Sequence, residues 1–222
     1  MAGRPPGDSA DGKKRLLDAC WQLLVETPQG ERLTIAAVCE KARCTPPTLY
    51  HHFGDLASLE RAASRRAYIA WSEEVEASCA PIASPRERLM ERGRAYLAWA
   101  QENPDAYTVL FSQPRKADDP NASTLHGTGF QSLLQDLGEI HGAHASDPSV
   151  LPLAFAYWAG IHGLASLSIA VPYFPQDVQE STLDILTESF VQHGPVAPPA
   201  WATGMSAIGQ AGDSDSDLRK AS

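Results

Sequence analysis

Apolar residues recur at intervals of three and four along most of this chain, and nowhere do they alternate with polar ones over the length of a strand. That spacing places them on one face of a helix, so the expected fold is all-α, with about nine helices and no sheet. Leu16, Leu17, Cys20, Leu23 and Leu24 set the pattern in a helix starting near Lys13, which Thr27-Pro28-Gln29-Gly30 ends. Residues 1–12, rich in Gly, Pro and Asp, read as a mobile arm.

Start and stop signals divide the remainder. Thr34 is placed to cap a short helix whose inner face is Ile35, Val38, Cys39 and Ala42. After Arg43-Cys44, Thr45 can cap a second short helix opening on Pro46-Pro47, where the missing N–H groups cost nothing. Gly54 stops it and Asp55 caps a long helix from Leu56 to about Ser78. Ser84-Pro85-Arg86-Glu87 is a capping box with Pro at the first helical position, and Asn103-Pro104 separates that helix from one carrying Tyr107, Leu110 and Phe111. Gln113 to Asn121 reads as a loop. Then follow a helix with Phe130, Leu133, Leu134 and Leu137 on one face, and an apolar helix from Asp147-Pro148 to Val171. The last, beyond Pro172-Tyr173-Phe174-Pro175, carries Leu183, Leu186 and Phe190. The chain past Gly194 has the composition of a disordered tail. The implied organisation is an arm (1–12), a head (13–54), a helical body (55–193) and a tail (194–222).

Composition narrows the functional classes. With 43 % hydrophobic residues a substantial core can be buried, and no apolar run is expected to span a bilayer. The N-terminus lacks the hydrophobic stretch of an export signal, so a cytoplasmic protein is expected. The four cysteines (Cys20, Cys39, Cys44, Cys79) lack CxxC spacing and sit in apolar helical patterns, as buried reduced thiols would. His141-Gly142-Ala143-His144 has no acidic or thiol companion and reads as a frayed helix end, not a metal pair. No phosphate-binding Gly-rich loop, nucleophile elbow, HExxH or carboxylate pair is present, so neither catalysis nor a cofactor is expected. The net charge is −9, yet residues 1–54 carry seven Lys/Arg against six acids, which permits DNA binding by the head without indicating it.

The informative segment is Leu33 to Phe53. Two short helices joined by a tight turn let the second lie in a major groove while the first braces across the backbone. Leu49 and Phe53 supply the second helix's apolar face, and Thr48, Tyr50, His51 and His52 offer hydrogen-bonding groups to phosphates and base edges. On those residues, above all Thr48-Leu49-Tyr50-His51-His52-Phe53 followed by a long helix, the chain resembles the TetR family of transcriptional regulators. Trp158-Ala159-Gly160-Ile161-His162-Gly163-Leu164 is similar to a Trp-and-His-Gly signature in the body of one TetR subgroup.

The resemblance implies a homodimeric, ligand-responsive repressor of a near-palindromic duplex operator. Thr34, Thr45, Pro47, Thr48, Tyr50, His51, His52 and Lys14 would meet DNA. A small apolar or aromatic effector would meet Tyr96, Trp99, Tyr107, Phe111, Phe130, Tyr157, Trp158 and His162. The alternatives are a packed aromatic core with His162 as a satisfied core histidine, and a helical partner-binding protein of the same fold with weakened or lost DNA binding. The chain departs from the family pattern at Arg43, Pro46 and Leu56, where glycine, a polar or basic residue and lysine are usual. A lost lysine–phosphate contact would fall to Lys13, Lys14, Arg15 and Arg4 to replace. Dimerisation is expected through Pro148–Val171 and Pro175–His193, using Leu164, Leu167, Leu183, Leu186 and Phe190.

Overall fold

The computed structural model describes residues 7–28, 31–111, 128–171 and 173–194. Among these there are nine helices and no strand: α1 (Gly7–Glu26), α2 (Ile35–Ala42), α3 (Pro46–Phe53), α4 (Leu56–Cys79), α5 (Pro85–Glu102), α6 (Pro104–Phe111), α7 (Thr128–His141), α8 (Val150–Ala170) and α9 (Gln176–Gln192). The expected loop at 113–121, the tail beyond 194 and the first six residues of the arm lie outside the described residues.

Capping follows the sequence closely. The Ala37 N–H donates to Thr34 Oγ1 at 3.2 Å, and the Ser58 N–H donates to Asp55 Oδ1 at 2.6 Å. The Glu87 N–H reaches Ser84 Oγ at 3.4 Å at the start of α5. Helix α1, however, starts at Gly7, within the expected arm. Its first turns bury no leucine that could announce them. They are held by an Asp11–Arg15 ion pair at 3.2 Å and by Gly12, which is buried.

The chain forms two compact units. One holds α1–α3, α4 as far as Glu74, and the segment from Trp99 through α6; the other holds 75–98 with α7, α8 and α9. In the first, Leu16 and Cys20 of α1, Val38 and Ala42 of α2, Leu49 of α3, and Leu59 and Ala63 of α4 make one core. Leu56 packs against it half-buried, so an apolar residue at the head of α4 has a local packing role. In the second, Leu89, Leu137, Val150, Tyr157, Ile161, Leu164 and Leu183 are buried. Around Asp136 an ion-pair network is sealed into the same core. Asp136 accepts from Arg88 Nε at 2.6 Å and Arg92 Nη2 at 2.9 Å, while Arg92 also bonds Glu76 of α4.

Helix α8 corrects one expectation. With 21 residues and a mean hydropathy of 1.4 it is, by length and composition, apolar enough to cross a membrane. Its buried side (Ala154, Tyr157, Ile161, Leu164, Ala165) packs against α7 and α9, and its outer side is apolar as well. All four cysteines are free thiols, and Cys20, Cys39 and Cys79 are buried. Burial pushes the Cys20 thiol up to about 12, with Glu60 adding to the effect, and raises those of Cys39 and Cys79. These are packing thiols held in the protonated form.

Candidate nucleic-acid interface and effector residues

The turn between α2 and α3 keeps the backbone that glycine would adopt, although arginine occupies it. Arg43 lies at φ 50° and ψ 45°. Its N–H donates to Glu40 O at 3.1 Å, and the Cys44 N–H donates to Cys39 O at 2.9 Å. This pair of bonds closes a helix end with a left-handed residue, at a cost of about 1–2 kcal/mol for a side chain there. Arginine in place of the usual glycine therefore retains the geometry of the turn and accepts the strain at Arg43.

Helix α3 has three sides. Leu49 is fully buried and Phe53 is half-buried against the core. Pro46, Pro47, Tyr50 and His51 face outward, with Tyr50 51 % exposed. Thr48 and His52 lie half-buried on the flank beside α1, where a methyl on Gly12 would sit 3.5 Å from Thr48 Cγ2 and 3.9 Å from His52 Nε2. The predicted DNA residues thus divide between an outward face and a flank. The Thr45 and Thr48 hydroxyls are 3.1 Å apart. Thr34 is exposed, and its cap bond uses the hydroxyl as acceptor, so its proton can still be donated. Lys14 is exposed on α1.

The predicted effector residues do not form one set. In the first unit Trp99 stacks on Trp71 with ring centroids 5.1 Å apart, and Phe111 lies 5.7 Å from Trp71 and 5.1 Å from Tyr107. Tyr68 joins them at 6.4 Å from Phe111. In the second, Phe130, Phe155, Trp158 and His162 form a chain of ring contacts at 5.2–6.3 Å. It ends on Tyr96, whose hydroxyl is 2.9 Å from His162 Nδ1. Burial lowers the His162 pKa, favouring a neutral ring.

Tyr157 belongs to neither group. It is buried, donates to Leu89 O at 2.8 Å and packs on Phe190. Its place is the core. Sequence reading missed Tyr68, Trp71 and Phe155, which share the helical spacing of the residues it named. His141, set aside as a metal ligand, donates from Nε2 to Phe190 O at 2.8 Å. An open groove of about 590 Å³ lies along α5 and α9, lined by charges that include Arg86, Glu91, Arg94 and Asp184, with none of the predicted effector residues among its walls.

The outer face of α8 presents Phe155, Ala156, Ala159, Gly163, Leu167 and Ala170, and α9 exposes Val178 and Ile185. The two glycines of the Trp-His-Gly segment serve different neighbours. A methyl at Gly160 would collide with Leu186 Cδ1 at 2.8 Å, so this glycine admits α9. At Gly163 a methyl would meet nothing within 4 Å. Leu164 and Leu183, expected in a dimer interface, are instead 4 % and 2 % exposed within the single chain.

Residues 89–190 match the tetracyclin repressor-like C-terminal domain family. No curated protein matches the chain. Among solved structures, a TetR-like transcriptional regulator from Rhodococcus sp. RHA1 is similar at 19 % identity and a TM-score of 0.55, covering 86 % of this chain and 99 % of that one. A TetR-family transcriptional regulator from Streptomyces coelicolor shares the fold at 20 % identity and a TM-score of 0.56, over 82 % and 98 %. RolR in complex with the ligand resorcinol does so at 15 % identity and a TM-score of 0.54, over 91 % and 96 %. Residues 89–190 thus carry a tetracyclin repressor-like C-terminal domain, and the chain shares the all-α fold of these solved TetR-like regulators.

Proposed function

We propose that the protein is a homodimeric repressor that binds a near-palindromic operator through α3 and is released by a small, mostly apolar or aromatic molecule. The observation that carries this reading is the outward face of α3, where exposed Tyr50 and His51 stand beside the Thr45 and Thr48 hydroxyls on a short helix fixed from behind by Leu49. Such a helix enters a major groove, and in a two-fold dimer the second copy meets the next groove face roughly 34–36 Å away. Thr34, at the start of α2, and Lys14 are exposed and would meet phosphates. Replacing Tyr50 by Phe and Thr48 by Ala together should weaken operator binding by roughly 1–3 kcal/mol at unchanged melting temperature, because a hydroxyl bonded to a phosphate oxygen is charge-assisted. Fluorescence anisotropy on the upstream DNA of its own gene checks it, and unchanged affinity refutes the assignment.

The effector reading rests on the Tyr96–His162 bond at the end of an aromatic chain, a polar pair in apolar walls that suits a ligand oriented by one or two polar groups. RolR, of the same fold, is solved with resorcinol, a small aromatic of that kind. For release, the ligand must favour the arrangement that does not fit DNA. Helix α4 runs from Leu56 behind the recognition helix to Glu76, which bonds Arg92 of α5, and is the element to carry the change. In Trp158→Ala and His162→Ala, a panel of monocyclic phenols including resorcinol should no longer release the operator, while affinity without them stays within about twofold of the unaltered protein. Release that survives in both variants overturns the site.

A further inference from the structure

On the reading of α3 as a recognition helix, we infer that this helix identifies its operator through thymine methyl groups, with Pro46 and Pro47 as the contacting residues. The usual means of base reading are missing from it. Arg or Lys pairs with guanine, Asn or Gln with adenine, and Asp or Glu with cytosine, each through hydrogen bonds to base edges. Pro46-Pro47-Thr48-Leu49-Tyr50-His51-His52-Phe53 contains none of these six residue types. The start of a helix normally also offers free N–H groups to a phosphate. Here the first two positions are prolines and have none. The Thr48 N–H is already bonded to Thr45 O at 2.9 Å, and the Leu49 N–H to the same oxygen at 3.3 Å.

What the leading turn of α3 offers the groove is therefore two exposed pyrrolidine rings, rigid and without a donor. The one feature of the major-groove floor that such a surface complements is the C5-methyl of thymine. Of the other side chains in that turn that carry methyls, Leu49 is buried in the core and Thr48 turns its methyl to Gly12 on the flank. Tyr50 and His51 add single hydrogen bonds further along the helix.

The test uses the purified full chain and duplexes selected from a random-sequence library. Thymines in the enriched half-site are replaced singly by deoxyuracil, which removes the methyl and leaves the pairing edge unchanged. At the position under α3's first turn the substitution should weaken binding about fourfold in one half-site and roughly fifteenfold in both, as expected for one buried methyl each. In Pro46→Ala/Pro47→Ala, which keeps a helix-compatible turn, that uracil effect should vanish and selection should lose its thymine there. An enriched site indifferent to uracil, anchored instead on guanine or adenine, overturns this inference and leaves DNA binding intact. If no sequence is enriched by folded, dimeric protein, the repressor reading itself fails, and this inference with it.

Discussion

Replacing Asp136 by alanine should destabilise the protein by about 3–5 kcal/mol, the range for breaking a buried ion pair by removing one partner. The carboxylate side chain is 3 % exposed and holds two guanidinium groups at once, Arg88 at 2.6 Å and Arg92 at 2.9 Å. The two would not suffer equally. Arg88 would keep Glu139 and the carbonyls of Ala83, at 2.8 Å, and Ile82, at 3.3 Å. Among the described residues, Arg92, 7 % exposed, would keep its bond to Glu76 alone, and its Nε is already buried without an acceptor. Most of the penalty is therefore the charge left on Arg92. Urea unfolding of Asp136→Ala against Arg92→Met/Asp136→Leu separates the two effects, because an apolar pair of similar size avoids that stranded charge and is often neutral. The single variant should unfold at much lower urea and the double variant near the unaltered protein. A single variant within about 1 kcal/mol of the unaltered protein would show the network to be dispensable.

Asp136 also shows where sequence reading stops. It follows Leu133 and Leu134 and precedes Leu137 on one apolar face, and an acid at that spacing was the available sign of a buried pair. Its partners lie 44 and 48 residues away on α5, a separation no local pattern reports. Elements with their own start signals, such as Thr34, Asp55 and Ser84, were legible because a cap is a contact between near neighbours. The start of α1 was not, since its first turns depend on an ion pair and on the fit of Gly12 beside α3. Among the aromatics, helical spacing places Tyr157 and Trp158 side by side and cannot say that one donates into the core while the other joins Phe130 and His162. In α8 every face is apolar, so periodicity has no contrast from which to choose an inner side. Leu164 and Leu167 look alike in sequence, yet the first is 4 % exposed and the second 52 %.

That contrast sets the second large effect. Leu167→Arg together with Ile185→Arg should leave a folded monomer and lower operator affinity by about 10²–10⁴, the gain that linking two half-site contacts normally provides. Ile185 is 70 % exposed and Leu167 is 52 % exposed in the single chain, so neither arginine need be buried in the protomer. In a two-fold pairing of α8 and α9 with a second copy, both would meet their counterparts and bring like charges together in an apolar seam. The outer face of α8 favours such close pairing. Ala156, Ala159, Gly163 and Ala170 are small and exposed, and the helix carries no Asp, Glu, Lys or Arg. Gly163 gives an independent reading. Nothing in its own chain lies within 4 Å of a methyl placed there, so Gly163→Ala should stabilise the isolated helix by about 1 kcal/mol. If α8 meets its mate at that point, the same methyl should weaken the dimer while the protomer's melting temperature rises. Sedimentation at micromolar concentration distinguishes the cases. A double arginine variant that remains dimeric, with Gly163→Ala indistinguishable from the unaltered protein in its dimerisation, would place the interface on some other face.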